Sequence, residues 1–297
     1  MAGLATGKTN IEGIGPVLKP DHAATVPEAM GDPASVAADA HPRDRSGAHG
    51  LGPTLLALGR MVAFGIVCLG VASLAALGIV RVGFDLWYGI DPFLPTARRP
   101  FVGVVQLAHR AFAVDVLRQV LLASMVIAWA WRRDRSGWRR RLALDREKAN
   151  GLRPVVLLSI LLFWPVLHIA WVTGTAELMG GGFGRGLRLS PFMDRTAVVA
   201  WLAYLTILAP LAEELLVRGE MYHLVNRTLG AVWAVSATAL VFALAHISSF
   251  GLARPISLLP LAFALGLLRW RTGRLWPGIA LHGWSNLALV VYLLWPH

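Results

Sequence analysis

Glu213-Glu214-Leu-Leu-Val-Arg218, Phe242-Ala-Leu-Ala-His246 and His282-Gly-Trp-Ser-Asn286 stand inside otherwise apolar stretches between Pro210 and Asn286. A carboxylate, a guanidinium or an imidazole near the centre of a bilayer costs a few kcal/mol or more, so such groups face a partner or a wet cavity and mark a working site. Whether the three clusters are membrane-embedded therefore decides both fold and function.

The composition says that they are. Of the 297 residues 56% are hydrophobic, the mean hydropathy is +0.58 and only 15% are charged, well below the roughly 25% of soluble domains. An all-α, polytopic helical bundle with an intramembrane polar cavity is the expected fold class. The net charge of +11 then reflects arginine-rich cytoplasmic loops rather than a nucleic-acid partner. Cys68 is the single cysteine and lies in the first apolar run, so no intrachain disulfide is expected, and it reads as a small buried apolar residue.

About 20 residues cross the hydrocarbon core. Runs of that order lie near Met61–Val80, Ala111–Trp131, Pro154–Thr173, Thr196–Ala212, Leu229–Ile247, Pro255–Trp270 and Leu275–Trp295. Seven spans are therefore expected, the fourth continuing through the first motif to about Arg227. Residues 1–50 are rich in Ala, Pro, Asp, Gly and His and read as a disordered cytoplasmic tail. Residues 51–195 read as amino-terminal membrane helices and 196–297 as the core that carries the chemistry.

The connection Arg132–Lys148 holds Arg132, Arg133, Arg135, Arg139, Arg140, Arg141, Arg146 and Lys148 against Asp134, Asp145 and Glu147. By the positive-inside rule it is cytoplasmic, and so, with alternating spans, are the amino terminus and the connection at Arg269, Arg271 and Arg274. The bland reading of these charges, as topology signals meeting nothing more specific than anionic lipid, is preferred. The glycine-rich run 180–186 lacks the strand and the Gly-Lys-Ser/Thr ending of a phosphate loop and reads as an external loop.

Glu214 and Arg218, at i and i+4, share a helix face and can neutralise each other. Glu213 points about 100° away and remains available. His246 should pack its ring on Phe242 one turn back. With a turn at Thr228–Gly230, Glu213 and His246 each lie about 23 Å from it along their helices, so an antiparallel pair brings them level, with room for one water. His282 and Asn286 share a face of the last helix, where both can donate to a developing oxyanion. His282 is only about 12 Å past Arg274, so the preceding hairpin must protrude by about two turns or a connecting loop must dip inward. The blander readings are an interfacial ion-pair knot, a packed histidine and an interhelical polar clamp. Glu213, His246 and His282 are also of the types that ligate zinc. Together the groups form the parts list of an amide hydrolase. Motifs of other intramembrane proteases (H-E-x-x-H, G-x-S-G, G-x-G-D) are absent from the sequence.

At these residues the chain resembles the CPBP (Abi) intramembrane protease family, which includes the CAAX prenyl endopeptidase known as the Ras-converting enzyme and bacterial relatives linked to bacteriocin immunity. The resemblance rests on E-E-x-x-x-R, F-x-x-x-H and H-x-x-x-N in that order and covers about Thr196–Trp295. It implies a membrane-embedded helical bundle in which Glu213 and His246 activate water, His282 and Asn286 form the oxyanion hole, and Glu214, Arg218 and Phe242 support them. The family's designation as metalloproteases implies zinc, with a metal-free, glutamate-dependent mechanism equally compatible.

The substrate implied is a membrane-associated protein or peptide. An Ala- and Arg-rich composition points to a high-GC bacterium and its inner membrane, where generic membrane proteolysis is favoured over prenyl-CAAX processing. The competing functions are a non-catalytic membrane binding or bacteriocin-immunity protein using the same cavity, and a transporter with a Glu/His proton relay.

Overall fold

The computed structural model describes residues 50–145, 152–179, 194–247 and 251–294. The expectations for the tail up to residue 49, for the glycine-rich run and for the far end of the basic connection fall outside these residues. The described part is helical: α1 (Leu51–Trp87), α2 (Val104–Arg133), the short α3 (Trp138–Arg141), α4 (Pro154–Leu178), α5 (Arg195–Leu229), α6 (Ala231–Leu244), α7 (Ala253–Thr272) and α8 (Trp276–Leu294).

Five of these helices, α1, α2, α4, α5 and α8, are long and apolar enough to cross a membrane, where seven were expected. The difference lies in α6 and α7. At 14 residues α6 is about 21 Å long, short of the roughly 30 Å hydrocarbon core. α7 has the length but carries Arg254, Arg269 and Arg271. These two helices are the fifth and sixth of the expected spans, and both pack within the bundle, α6 against α5 and α7, and α7 also against α4 and α8.

α1 buries Ala57, Met61, Gly65, Cys68, Ala72, Ala76 and Val80, a seam repeating every three or four residues along one face. Small residues at such a seam let helix backbones approach closely, which is how helices associate when lipid removes the hydrophobic drive between them. At Gly65 an added Cβ would already lie 3.3 Å from the Met221 sulfur, so α1 and α5 meet closely there. The opposite faces of α1 and α4 expose Ile66, Leu74, Leu158, Leu162 and Val166, each at least 66% accessible, as lipid-facing residues do.

Gly230 turns the chain between α5 and α6 with φ +86°, a backbone that glycine adopts without steric cost. The expected turn at Thr228–Gly230 is therefore present. The depth mismatch at His282 resolves through protrusion of this hairpin. Arg269, near the end of α7, donates to the Arg218 carbonyl at 3.1 Å and its guanidinium lies over Tyr222. Leu229 is 11 residues beyond Arg218, about 16 Å further along α5. The α5–α6 hairpin thus extends some three turns past the level of Arg269.

The basic connection is anchored within the bundle. Arg141 reaches back into the bundle and donates from Nε to Glu220 Oε2 at 2.7 Å and from Nη2 to Glu220 Oε1. Glu220, fully buried, also accepts from Trp129 Nε1 at 3.0 Å. The hydrogen bond to Glu220 is the largest of the causes that raise the Arg141 pKa above its ordinary value. Next to it the Ala143 carbonyl accepts from Leu275 N at 3.0 Å, tying the connection to the start of α8. Arg141→Ala is expected to cost about 2 kcal/mol, the worth of charged hydrogen bonds to a buried acceptor, read as a lowered midpoint in thermal unfolding of the detergent-solubilised protein.

Candidate active site

α5 carries the first motif and is not a regular α-helix. Tyr204–Leu208 and Leu215–Met221 are π-helical turns, separated by one α-helical stretch, Ala209–Glu214. Such turns inside α-helices recur at functional sites. The upstream one has a clear local cause. Ala209 N donates to Tyr204 O, and Pro210 has no N–H to give. Leu205 O is thereby left without a helical donor, and Asn286 Nδ2 donates to it at 2.9 Å. Pro210 is thus accommodated by a π turn that opens a carbonyl toward α8.

The same place shows why residue 283 is glycine. A Cβ there would overlap the Thr206 carbonyl oxygen, so α8 and α5 are in backbone contact at this level. Gly283→Ala is expected to push them apart at a cost of about 1–3 kcal/mol, and activity should fall with it because His282 and Asn286 ride on the displaced helix. Parallel thermal unfolding and activity measurements on the purified variant check both effects.

Glu214 and Arg218 pair as their spacing predicts, Arg218 Nη1 to Glu214 Oε1 at 2.9 Å, with both side chains at most 1% exposed. Arg218 Nη2 donates to Ala262 O at 2.9 Å, and the guanidinium lies 4.4 Å from the centre of the Phe242 ring. Gly278 lets α8 close over the carboxylate, since a Cβ there would sit 3.2 Å from Glu214 Oε2.

His282 is placed between the two adjacent glutamates. Its Nδ1 is 3.2 Å from Glu214 Oε1 and its Nε2 is 3.8 Å from Glu213 Oε2. A carboxylate already paired with a guanidinium accepts, so Nδ1 carries the proton and Nε2 is turned to Glu213. Glu213 is the accessible member of the pair, its side chain 23% exposed against 1% for Glu214.

His246 lies in the turn just past the end of α6 rather than within the helix. Its ring centre is 4.8 Å from that of Phe242, and Phe242 meets His282 edge-on at 5.6 Å. The Phe242 carbonyl, which can only accept, lies 2.8 Å from His246 Nδ1. That fixes the proton on Nδ1 and leaves Nε2 as the basic nitrogen. Glu213, His282 and Arg254 are all within electrostatic reach of this ring. Asn286 uses one amide hydrogen on Leu205 O and keeps a second.

Among the described residues no three His, Cys, Asp or Glu side chains are gathered closely enough to hold a metal ion. The Nδ1 atoms of His246 and His282 are held by a backbone carbonyl and by Glu214, which leaves Nε2 of each ring as the usual ligand atom, but Glu213, His246 and His282 do not converge closely enough to form a zinc cage in this arrangement.

Sequence reasoning missed two neighbouring groups. His168 on α4 is 2% exposed, stacks on Trp164 with ring centres 5.7 Å apart, and lies within electrostatic reach of His282. Trp164 Nε1 donates to Ser285 Oγ at 2.7 Å, clamping α4 to α8 one turn from His282. The signal was a Trp and a His at i and i+4 in an apolar run. On α2, Asp115 and Arg118 pair at 3.0 Å, and Tyr204 lies within electrostatic reach of both and of Glu213. The signal there was two charges inside a predicted span.

Comparison with known proteins bears on the same segment. No curated protein and no solved structure matches the chain. The family model Rce1-like, described as type II CAAX prenyl endopeptidase Rce1-like, matches residues 195–288, from the first residue of α5 to two residues past Asn286. The resemblance to the CPBP proteases is thus shown over the segment carrying all three motifs, residues 195–288.

Proposed function

We propose that this protein is an intramembrane endopeptidase in which Glu213 and His246 activate water and His282 and Asn286 stabilise the oxyanion. The observation that carries the proposal is the position of His282, with one ring nitrogen on the buried Glu214–Arg218 pair and the other turned to Glu213. Two adjacent carboxylates on one helix have been given different work. Glu214 is neutralised and holds a ring, whereas Glu213 is left accessible to solvent and substrate.

In the proposed cycle a water between Glu213 and His246 Nε2 gives one proton to Glu213 as its oxygen bonds to the scissile carbonyl carbon. The carbonyl π electrons move to oxygen. His282 Nε2, when that nitrogen carries a proton, and the second amide hydrogen of Asn286 donate to the resulting oxyanion. Collapse of the tetrahedral intermediate breaks the C–N bond, and the leaving nitrogen takes up the proton held by Glu213. Phe242 packs edge-on against His282 and limits its rotation, and the Glu214–Arg218 pair keeps Nδ1 as the protonated nitrogen.

The substrate class that suits a site at membrane depth is a membrane-associated protein or peptide, cleaved near its carboxyl terminus. α6 and α7 would then lie within the bilayer among the longer spans, with the basic connection and the amino terminus on the cytoplasmic side of a bacterial inner membrane. Comparing the membrane proteome of cells carrying the wild type with cells carrying Glu213→Gln tests the reading. Fragments present only with the wild type are expected. Identical proteomes, with the variant inserted and folded and cellular protection intact, would instead support the non-catalytic binding protein.

A further inference from the structure

Away from the candidate active site, α1, α2 and the end of α5 enclose a groove of about 1060 Å³, at the upper end of the roughly 300–1,000 Å³ of small-molecule sites. Its rim carries Arg60, Arg132, Arg133 and Arg227, drawn from three helices and all exposed. Among the described residues none of these four forms an ion pair, and Arg141 beneath them is already bound to Glu220. The floor is apolar, formed by Phe64, Val67 and Leu224 among others.

Depth favours a lipid as the occupant. Arg60 and Arg81 bracket the uncharged stretch of α1, and the 21 residue steps from one to the other rise about 31 Å, matching the roughly 30 Å hydrocarbon core. Arg60 therefore sits at headgroup level. Trp129 and Trp131, with Arg133 and Arg135 stacked over them at 4.5 and 4.9 Å, mark the same level, where tryptophan is enriched at membrane interfaces. Below the arginines the groove opens beside Ile66 and Val67, 66% and 58% exposed on the lipid-facing side of α1. A cationic rim above an apolar floor that continues into hydrocarbon has the polarity of an amphiphile.

We propose that this groove binds one anionic phospholipid, its phosphate among Arg60, Arg132 and Arg227 and its acyl chains along Phe64, Val67 and Leu224. An acidic peptide would use the rim but not the apolar continuation. Free phosphate would use neither the floor nor the depth.

Native mass spectrometry of the full-length protein, exchanged from neutral detergent into mixed micelles, reads the occupancy. Phosphatidylglycerol should be retained at one per chain with at least a tenfold preference over phosphatidylcholine. Inorganic phosphate at millimolar concentration should not displace it. The triple variant Arg60→Gln/Arg132→Gln/Arg227→Gln should lose the preference, and Val67→Trp, which fills the floor without touching charge at an exposed position, should lower retention at least threefold. Should the triple variant fail to fold, Val67→Trp decides alone. Equal retention of both lipids, displacement by phosphate or by an acidic peptide, or unchanged retention in Val67→Trp would each overturn the proposal.

Discussion

Glu213→Gln is expected to lower the rate of peptide cleavage by about 10²- to 10⁴-fold, the range a positioned general base contributes, while leaving the fold intact. The amide is nearly isosteric with the carboxylate, and the Glu213 side chain is partly exposed, with His282 Nε2 3.8 Å away, beyond hydrogen-bond length. Neither a cavity nor an orphaned buried charge is created. What disappears is the proton acceptor. Progress curves for wild type and variant in the same detergent, with thermal unfolding as the control, separate loss of chemistry from loss of structure. A variant that unfolds normally and cuts at the wild-type rate would remove Glu213 from the mechanism.

Arg218→Met is expected to have the largest effect on stability, about 3–5 kcal/mol, because it strands a buried carboxylate. Glu214 and Arg218 are both essentially inaccessible, and the guanidinium also satisfies the Ala262 carbonyl and covers the Phe242 ring. Methionine keeps the apolar stem and loses every donor. In the double variant Arg218→Met/Glu214→Gln the stranded charge is gone, so a large part of the loss should return, since replacing a whole buried pair costs far less than breaking it. Activity should not return with it, because His282 Nδ1 loses the ionised oxygen that holds it. A double-mutant cycle in thermal or denaturant unfolding measures the coupling. Additive losses would mean that the pair is not the unit it forms here.

Much of the candidate site was legible because its members are closely spaced along the chain. Glu214 with Arg218 and His282 with Asn286 are each four residues apart, and a helix converts that interval into a shared face, while Phe242 and His246 keep the same interval across the end of α6. Counting residues to one glycine turn put Glu213 and His246 level, and the two are within electrostatic reach of each other. What could not be read were properties of the assembly. Nothing in the motif says that the backbone runs through two π turns, since Pro210 hints at a missing donor but not at its remedy. Arg141 and Glu220 lie 79 positions apart and meet only when the basic connection folds under α5. That contact turned part of a presumed topology signal into an internal anchor. His168 was one more polar residue in an apolar run until α4 was clamped against α8 by Trp164 and Ser285. The count of seven spans is not matched by helix length because α6 is apolar but short, and hydropathy cannot tell a helix that crosses lipid from one sheltered by its neighbours.

Cleavage in water enriched in ¹⁸O is the most direct test that Glu213, His246 and His282 form one hydrolytic centre. The purified wild-type protein is incubated with a library of peptides from membrane-protein carboxyl termini, and each new terminus is weighed. The expected result is a single ¹⁸O in every new carboxylate, with no such products from Glu213→Gln or His246→Ala. Products that appear equally with those variants, or peptides that bind and are never cut, would contradict the assignment of this site to hydrolysis.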